Sequence, residues 1–180
     1  MRNLSEMKFS KGFTLVELIV SIFIISLLST AMLLNYRTGQ EGAVLNRAAA
    51  FFETDLRRAQ NLAVASSEFE GVIPCGYGLH FLDSRNYSLY VGRPSPSCTL
   101  SNRNFESGPD AIYQNIKVIE QSLVFKSSFS DIFFEPPDPA TFINNNRSIG
   151  VSTAVEICLE VNLAKCRTLT IDTAGRIVIQ

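Results

Sequence analysis

Lys11-Gly12-Phe13-Thr14-Leu15-Val16-Glu17 runs without a break into Leu18-Ile19-Val20-Ser21-Ile22-Phe23-Ile24-Ile25-Ser26-Leu27-Leu28-Ser29-Thr30-Ala31-Met32-Leu33-Leu34. A short basic leader ends at Gly12, and an apolar run then holds from 13 to 34, interrupted by small hydroxylated residues and one acid. About 20 such residues suffice to cross a bilayer. A carboxylate inside a span costs a few kcal/mol, so Glu17 is a functional candidate by default.

The flanks orient the run. Arg2, Lys8 and Lys11 precede it against Glu6, and Arg37 follows it alone. This bias predicts a cytoplasmic N-terminus and an exported body in a single-pass inner-membrane protein. An ordinary secretory signal, cut near Ser29-Thr30-Ala31, is the plain alternative. The run exceeds the roughly 7–15 apolar residues of such signals, and an acid serves no purpose in a discarded segment.

The 180 residues carry a net charge of −1, and the body alone is slightly acidic. That gives no electrostatic reason for nucleic-acid binding. All four cysteines, Cys75, Cys98, Cys158 and Cys166, follow the span, where an even count reads as disulfides.

After Leu34, Asn35 to Gly42 contains two glycines and several polar residues, which predicts a bend or looser turn within one long helix. Leu45, Ala49, Phe52, Leu56, Ala59 and Ala63 then recur at 4, 3, 4, 3, 4, with Ala48, Phe51 and Leu62 widening the stripe. The pattern predicts a helix to about Ser66 that packs on the chain's own sheet.

From Glu70 the period becomes two. Residues 77–82 and 87–91 read as a hairpin, 93–110 as a long surface loop, and 116–119, 123–125 and 131–134 as short strands ended by Pro136-Pro137-Asp138-Pro139. Val155, Ile157, Leu159 and Val161 alternate with Cys158, and Leu169 and Ile171 alternate with Cys166. A hairpin turning near 162–164 brings Cys158 opposite Cys166 without a register shift. Of three possible connectivities this favours Cys158–Cys166 and hence Cys75–Cys98. The fold class is α+β: a long N-terminal helix, membrane half plus amphipathic half, packed on a small antiparallel β-sheet domain.

Residues 12–18, Gly-Phe-Thr-Leu-Val-Glu-Leu, resemble the processing signal of type IV prepilins and type II secretion pseudopilins. The resemblance implies a prepilin peptidase that cuts between Gly12 and Phe13 and N-methylates Phe13, after a leader starting at Met1 or Met7. It also implies that Glu17 serves assembly, pairing with the Phe13 amine of a neighbouring subunit. The implied parts are a cleaved leader (1–12), a transmembrane and filament-core helix (13–34), an amphipathic half (35–66) and an exported β-rich domain (67–180). The implied partners are other pilins or pseudopilins, an inner-membrane assembly platform and the lipid bilayer.

Residues 55–63 and 171–177 are similar to the helix and last hairpin of the GspH/FimT-like minor pseudopilins and minor pilins. Some of those bind DNA through a basic tail. Here Arg176 is followed by Ile177-Val178-Ile179-Gln180, so no nucleic acid is expected.

Nothing reads as an active site. His80 is the only histidine, mid-strand and without a second His for a metal. No phosphate loop or nucleophile elbow occurs. Asp110, Asp131 and Asp138 read as solvated loop residues. No enzyme, cofactor or metal is expected. The competing reading is a single-span binding protein or enzyme acting outside a filament.

Replacing Gly12 with Val should leave the leader attached in cells that hold a prepilin peptidase. The check is N-terminal sequencing: the variant keeps a Met N-terminus and runs as a heavier band, whereas wild type begins at Phe13.

Overall fold

The computed structural model describes residues 12–180 except 95, 119, 120 and 137–139, without the side chains of 33–35, 37, 38 and 117. Two compact units emerge, Met1–Gln40 and Glu41–Gln180. The element α1 (Leu15–Val64) belongs to both, and its backbone is helical throughout 35–42, where the sequence suggests a bend or looser turn. It ends two residues before Ser66. There Ser66 takes a positive φ of 46°, and the amides of Ser66 and Ser67 bond back to Ala63 and Leu62, the usual way a last turn satisfies its free carbonyls.

In Glu41–Gln180 the antiparallel β domain expected from the sequence is built from two sheets. The first contains β1 (Gly76–Asp83), β2 (Asn86–Gly92), β3 (Ala111–Lys117), β5 (Ile132–Glu135) and β6 (Ala140–Ile143), in the order β3-β2-β1-β5-β6. The second contains β4 (Leu123–Phe125), β7 (Ser152–Leu159), β8 (Asn162–Asp172) and β9 (Ile177–Ile179), in the order β4-β7-β8-β9. The strand expected at 116–119 instead occupies β3, five residues earlier, and Ile119 lies outside the described residues. β6 follows the proline-rich stretch and carries no strong alternation. The β7–β8 turn falls at Glu160 and Val161 rather than 162–164, because a bulge after Cys158 pairs Leu159 with Asn162.

The helix stripe is the core. Ala49, Leu56, Ala59 and Ala63 are fully buried, with Leu45, Ala48 and Phe52 nearly so. Phe51, counted in the stripe, is instead half exposed. Around the Phe52 ring stand Tyr87, Phe125 and Phe129, all edge-on at 5.0–5.9 Å. Such contacts add about 0.5–1.5 kcal/mol each beyond area burial.

The five-stranded sheet is also covered on its other face. There Cys75, Tyr90 and Phe133 form a second cluster, under the partly buried Cys98, Phe105 and Phe142. The cover is the 93–110 loop. It is stapled by the Cys75–Cys98 bridge, the Arg103–Glu135 pair at 3.1 Å, and the Tyr90 hydroxyl donating to the Arg103 carbonyl at 2.6 Å. Gly78 lets Tyr90 lie flat on the sheet, since a Cβ at 78 would sit 2.5 Å from that ring.

The bridges close loops of different length: 23 residues for Cys75–Cys98 and 8 for Cys158–Cys166. Loop-closure entropy then assigns about 3.4 and about 2.5 kcal/mol respectively. In denaturant unfolding of the detergent-solubilised protein, Cys98→Ser should therefore lose more stability than Cys166→Ser. Equal losses would show that chain entropy does not govern these bridges.

Candidate functional site

The candidate site is the start of α1. Gly12, Phe13 and Thr14 precede the helix, and all are exposed. Thr14 is the N-cap: its Oγ1 accepts from the Glu17 amide at 3.3 Å, while its carbonyl accepts from the Leu18 amide at 3.2 Å. Glu17 is therefore the third helical residue. Thr14-Leu15-Val16-Glu17 has the S/T-x-x-E form of a capping box, and an acid there is favoured by the helix dipole. That pattern was present in the sequence, but attention to Glu17 alone passes over Thr14.

Leu15–Met32 forms one continuous apolar stretch with mean hydropathy 2.3, and none of it is buried within the protein. Its hydroxyls need no outside partner. Ser21, Ser26, Ser29 and Thr30 each donate to the carbonyl four residues back, at 2.7–2.9 Å. Glu17 differs. Among the described residues none hydrogen-bonds or ion-pairs with its carboxylate, which lies one turn from Phe13.

The remaining singled-out residues lie in the Glu41–Gln180 unit. Cys75 is bonded to Cys98 and Cys158 to Cys166. Cys158 is fully buried although it faces away from the core stripe, because β4 pairs Val124 beside it. His80 Nδ1 lies 2.7 Å from Asp131 Oδ1, and its ring packs on Phe105 at 4.6 Å. The other Asp131 oxygen accepts from the Phe105 amide at 2.8 Å.

Asp110 likewise accepts from the amides of Arg93 and Glu106, at 3.2 and 2.8 Å. Its pKa is raised, burial being the largest cause, with those two bonds opposing it. Asp110 and Asp131 are thus not the solvated loop residues expected. They hold the 93–110 loop, whose backbone amides need acceptors. Asp138 lies outside the described residues.

The two stretches that resemble the GspH/FimT-like branch meet in space. Gln60 Nε2 donates to the Gly175 carbonyl at 3.1 Å. Gly175 has φ +76°, and a Cβ there would meet Thr141 Oγ1 at 3.1 Å and Gln60 Nε2 at 3.3 Å. Arg176 is spent within its own turn, its Nε donating to Asp172 Oδ2 at 3.0 Å. Asp55 Oδ2 accepts from the buried Tyr87 hydroxyl at 2.7 Å; burial first, then this carboxylate, hold that hydroxyl well above the ordinary tyrosine range. The pair borders a notch of about 100 Å³ lined by Ala48, Phe51, Phe52 and Phe125.

The family model described as "Prokaryotic N-terminal methylation motif" matches residues 7–33. In structure, the type IV minor pilin FimU of Pseudomonas aeruginosa (strain PAO1) is similar. Its P21 crystal form gives a TM-score of 0.50 at 16% identity, over 76% of this chain and 87% of FimU. The chain thus carries the N-terminal methylation motif and has a pilin-like fold.

The P65 form of FimU gives a TM-score of 0.48 at 17% identity, over 76% of this chain and 92% of that one. No curated protein is significantly similar in sequence. In the pilin-like fold the motif and the geometry coincide: residues 7–33 contain the exposed Gly12–Phe13 bond, the Thr14 cap and Glu17, whose carboxylate has no partner among the described residues.

Thr14→Ala should fray the first turn by about 1 kcal/mol, the usual worth of an N-cap. Amide exchange in micelles checks this: the Glu17 and Leu18 protons should exchange about fivefold faster, and Thr14→Ser should restore protection.

Proposed function

We propose that this chain is a structural minor pilin or pseudopilin subunit. A prepilin peptidase cleaves it between Gly12 and Phe13 and methylates the new terminus. It is then assembled through its N-terminal helix into a type IV pilus or a type II secretion pseudopilus. One observation carries the reading: the acid at the head of an unburied apolar helix has no partner among the described residues.

Cleavage would create that partner. It leaves a cationic amine on Phe13, and N-methylation keeps the charge. An acid and an amine in hydrocarbon are tolerable only when paired. The Thr14 cap starts the helix next to Phe13, so amine and carboxylate lie about one turn apart on one chain. Packing of a second helix alongside lets Glu17 of one subunit meet the amine of the next. The cost of leaving either charge bare then drives assembly and sets the axial register. The exported part supplies a rigid body joined to that helix, and the energy-consuming steps belong to other proteins.

Glu17→Ala should be cleaved like wild type yet enter filaments poorly. Immunoblots of sheared filaments against whole-cell fractions read this directly. Incorporation at the wild-type level would sink the assigned role of Glu17. A Glu17→Asp variant, shorter by one methylene, should recover part of the incorporation.

A further inference from the structure

Two patches on the Glu41–Gln180 unit complement each other but lie apart on one chain. The first is the turn that follows α1. The Phe69 amide donates to the Val72 carbonyl at 2.9 Å, and the Val72 amide to the Phe69 carbonyl at 3.1 Å. The Phe69 ring packs against Tyr113 at 5.7 Å, and the Arg93 guanidinium lies 5.7 Å from its centre. These contacts fix the turn, and on it Val72 and Ile73 stand 54% and 58% exposed. Glu68 is exposed beside them, and none of the described residues pairs with its carboxylate. The turn is a preformed apolar knob carrying an acid.

The second patch is a cleft of about 470 Å³ between residues 147–150 and the turn at 172–176. Its walls are tied together: Thr173 Oγ1 donates to the Ser148 carbonyl at 3.0 Å, and the Thr173 amide to the Val151 carbonyl at 3.1 Å. Ile149 is fully exposed on the rim. The Arg176 guanidinium is taken by Asp172 at 3.0 Å. Arg147 is exposed and meets no hydrogen-bond or ion-pair partner among the described residues. The cleft therefore offers one apolar contact and one net positive charge, the counterparts of the knob.

Phe69 leans on Tyr113 of β3, one edge of the five-stranded sheet, while Gly175 lies against Thr141 of β6, the other edge. Four strand spacings, about 19 Å, separate those edges. Both patches sit near the C-terminal end of α1: Gln60 bonds to Gly175, and the knob begins just past Val64. Knob and cleft are different surfaces on opposite edges, so a contact between copies is heterologous and repeats from one copy to the next. We propose that the knob of one copy seats in the cleft of a second copy, joining their Glu41–Gln180 units side by side. Glu68 pairs with the partner's Arg147, and Val72 and Ile73 cover the partner's Ile149. Loss of apolar surface from water supplies the attraction, and the charge pair sets the register. The proposal rests on the reading that this chain assembles with others like itself, and it names surfaces outside the N-terminal helix.

Ile149 and Leu100 are both exposed, so either can be replaced by the photoprobe p-benzoyl-phenylalanine without disturbing the core. The full-length protein carrying one probe is reconstituted densely into phosphatidylcholine vesicles and irradiated. The probe at 149 should join two copies, and peptide mapping should place the new bond within residues 68–73. The probe at 100, on the 93–110 loop, should give little dimer. Arg147→Glu should lower the dimer yield from 149 about fivefold, and Glu68→Arg with Arg147→Glu in the same chain should restore it.

No dimer from 149, bonds that fall outside 68–73, or equal yields from 149 and 100 overturn the proposal. So does a swapped pair that stays as low as Arg147→Glu alone. In producing cells, transfer of the 149 probe to a different protein assigns the cleft to that protein and also overturns it. Sheared filaments separate this contact from the assembly reading. A chain that enters them without the 149 crosslink refutes the contact alone, whereas one that crosslinks yet never enters them defeats the assembly reading alone.

Discussion

The burial of one helix stripe between two sheets is the constraint on which the Glu41–Gln180 unit depends. Each sheet has an apolar face it cannot cover alone. Ala48, Ala49, Ala59 and Ala63 keep the helix slim enough for both sheets to approach. Phe52 fills the middle, where β2, β4 and the chain before β5 bring Tyr87, Phe125 and Phe129 edge-on to its ring. Truncating Phe52 would leave a cavity against three elements together, the situation in which a core cannot collapse to compensate.

The opposite face of the five-stranded sheet is solved differently. No helix covers it; the 93–110 loop does. A loop pressed on a sheet buries backbone amides that must find acceptors. Asp110 and Asp131 supply them, and Arg103–Glu135 and the Cys75–Cys98 bridge hold the segment down. Carboxylates that read from the sequence as solvated loop residues instead hold the loop in place. His80, with its ring against Phe105 and its nitrogen on Asp131, belongs to the same clamp.

Glu17 is governed by the opposite condition. In the folded domain the carboxylates of Asp55, Asp110 and Asp131 find partners within the chain, although Ser88 Oγ and Asn104 Oδ1 are buried without one, whereas Leu15–Met32 meets none of the chain's own core. Ser and Thr residues there close on their own helix carbonyls, which leaves the acid as the residual cost.

Much of this was written in local pattern. The 4, 3, 4, 3, 4 spacing from Leu45 to Ala63 names the buried face because helical period is a property of the backbone. Strict alternation around Cys158 and Cys166 places them as cross-strand neighbours, and the apolar run with its acid marks the candidate site. Tertiary structure alone decided the rest. The split into two sheets, the capture of Asp110 and Asp131 by loop amides, and the Gln60–Gly175 contact join residues dozens of positions apart. β6 and the early start of β3 have weak local patterns, so their partners define them. The turn at Val161 moved because one bulge shifts every residue beyond it, and the sequence carries no mark of a bulge until the opposing strand is in place.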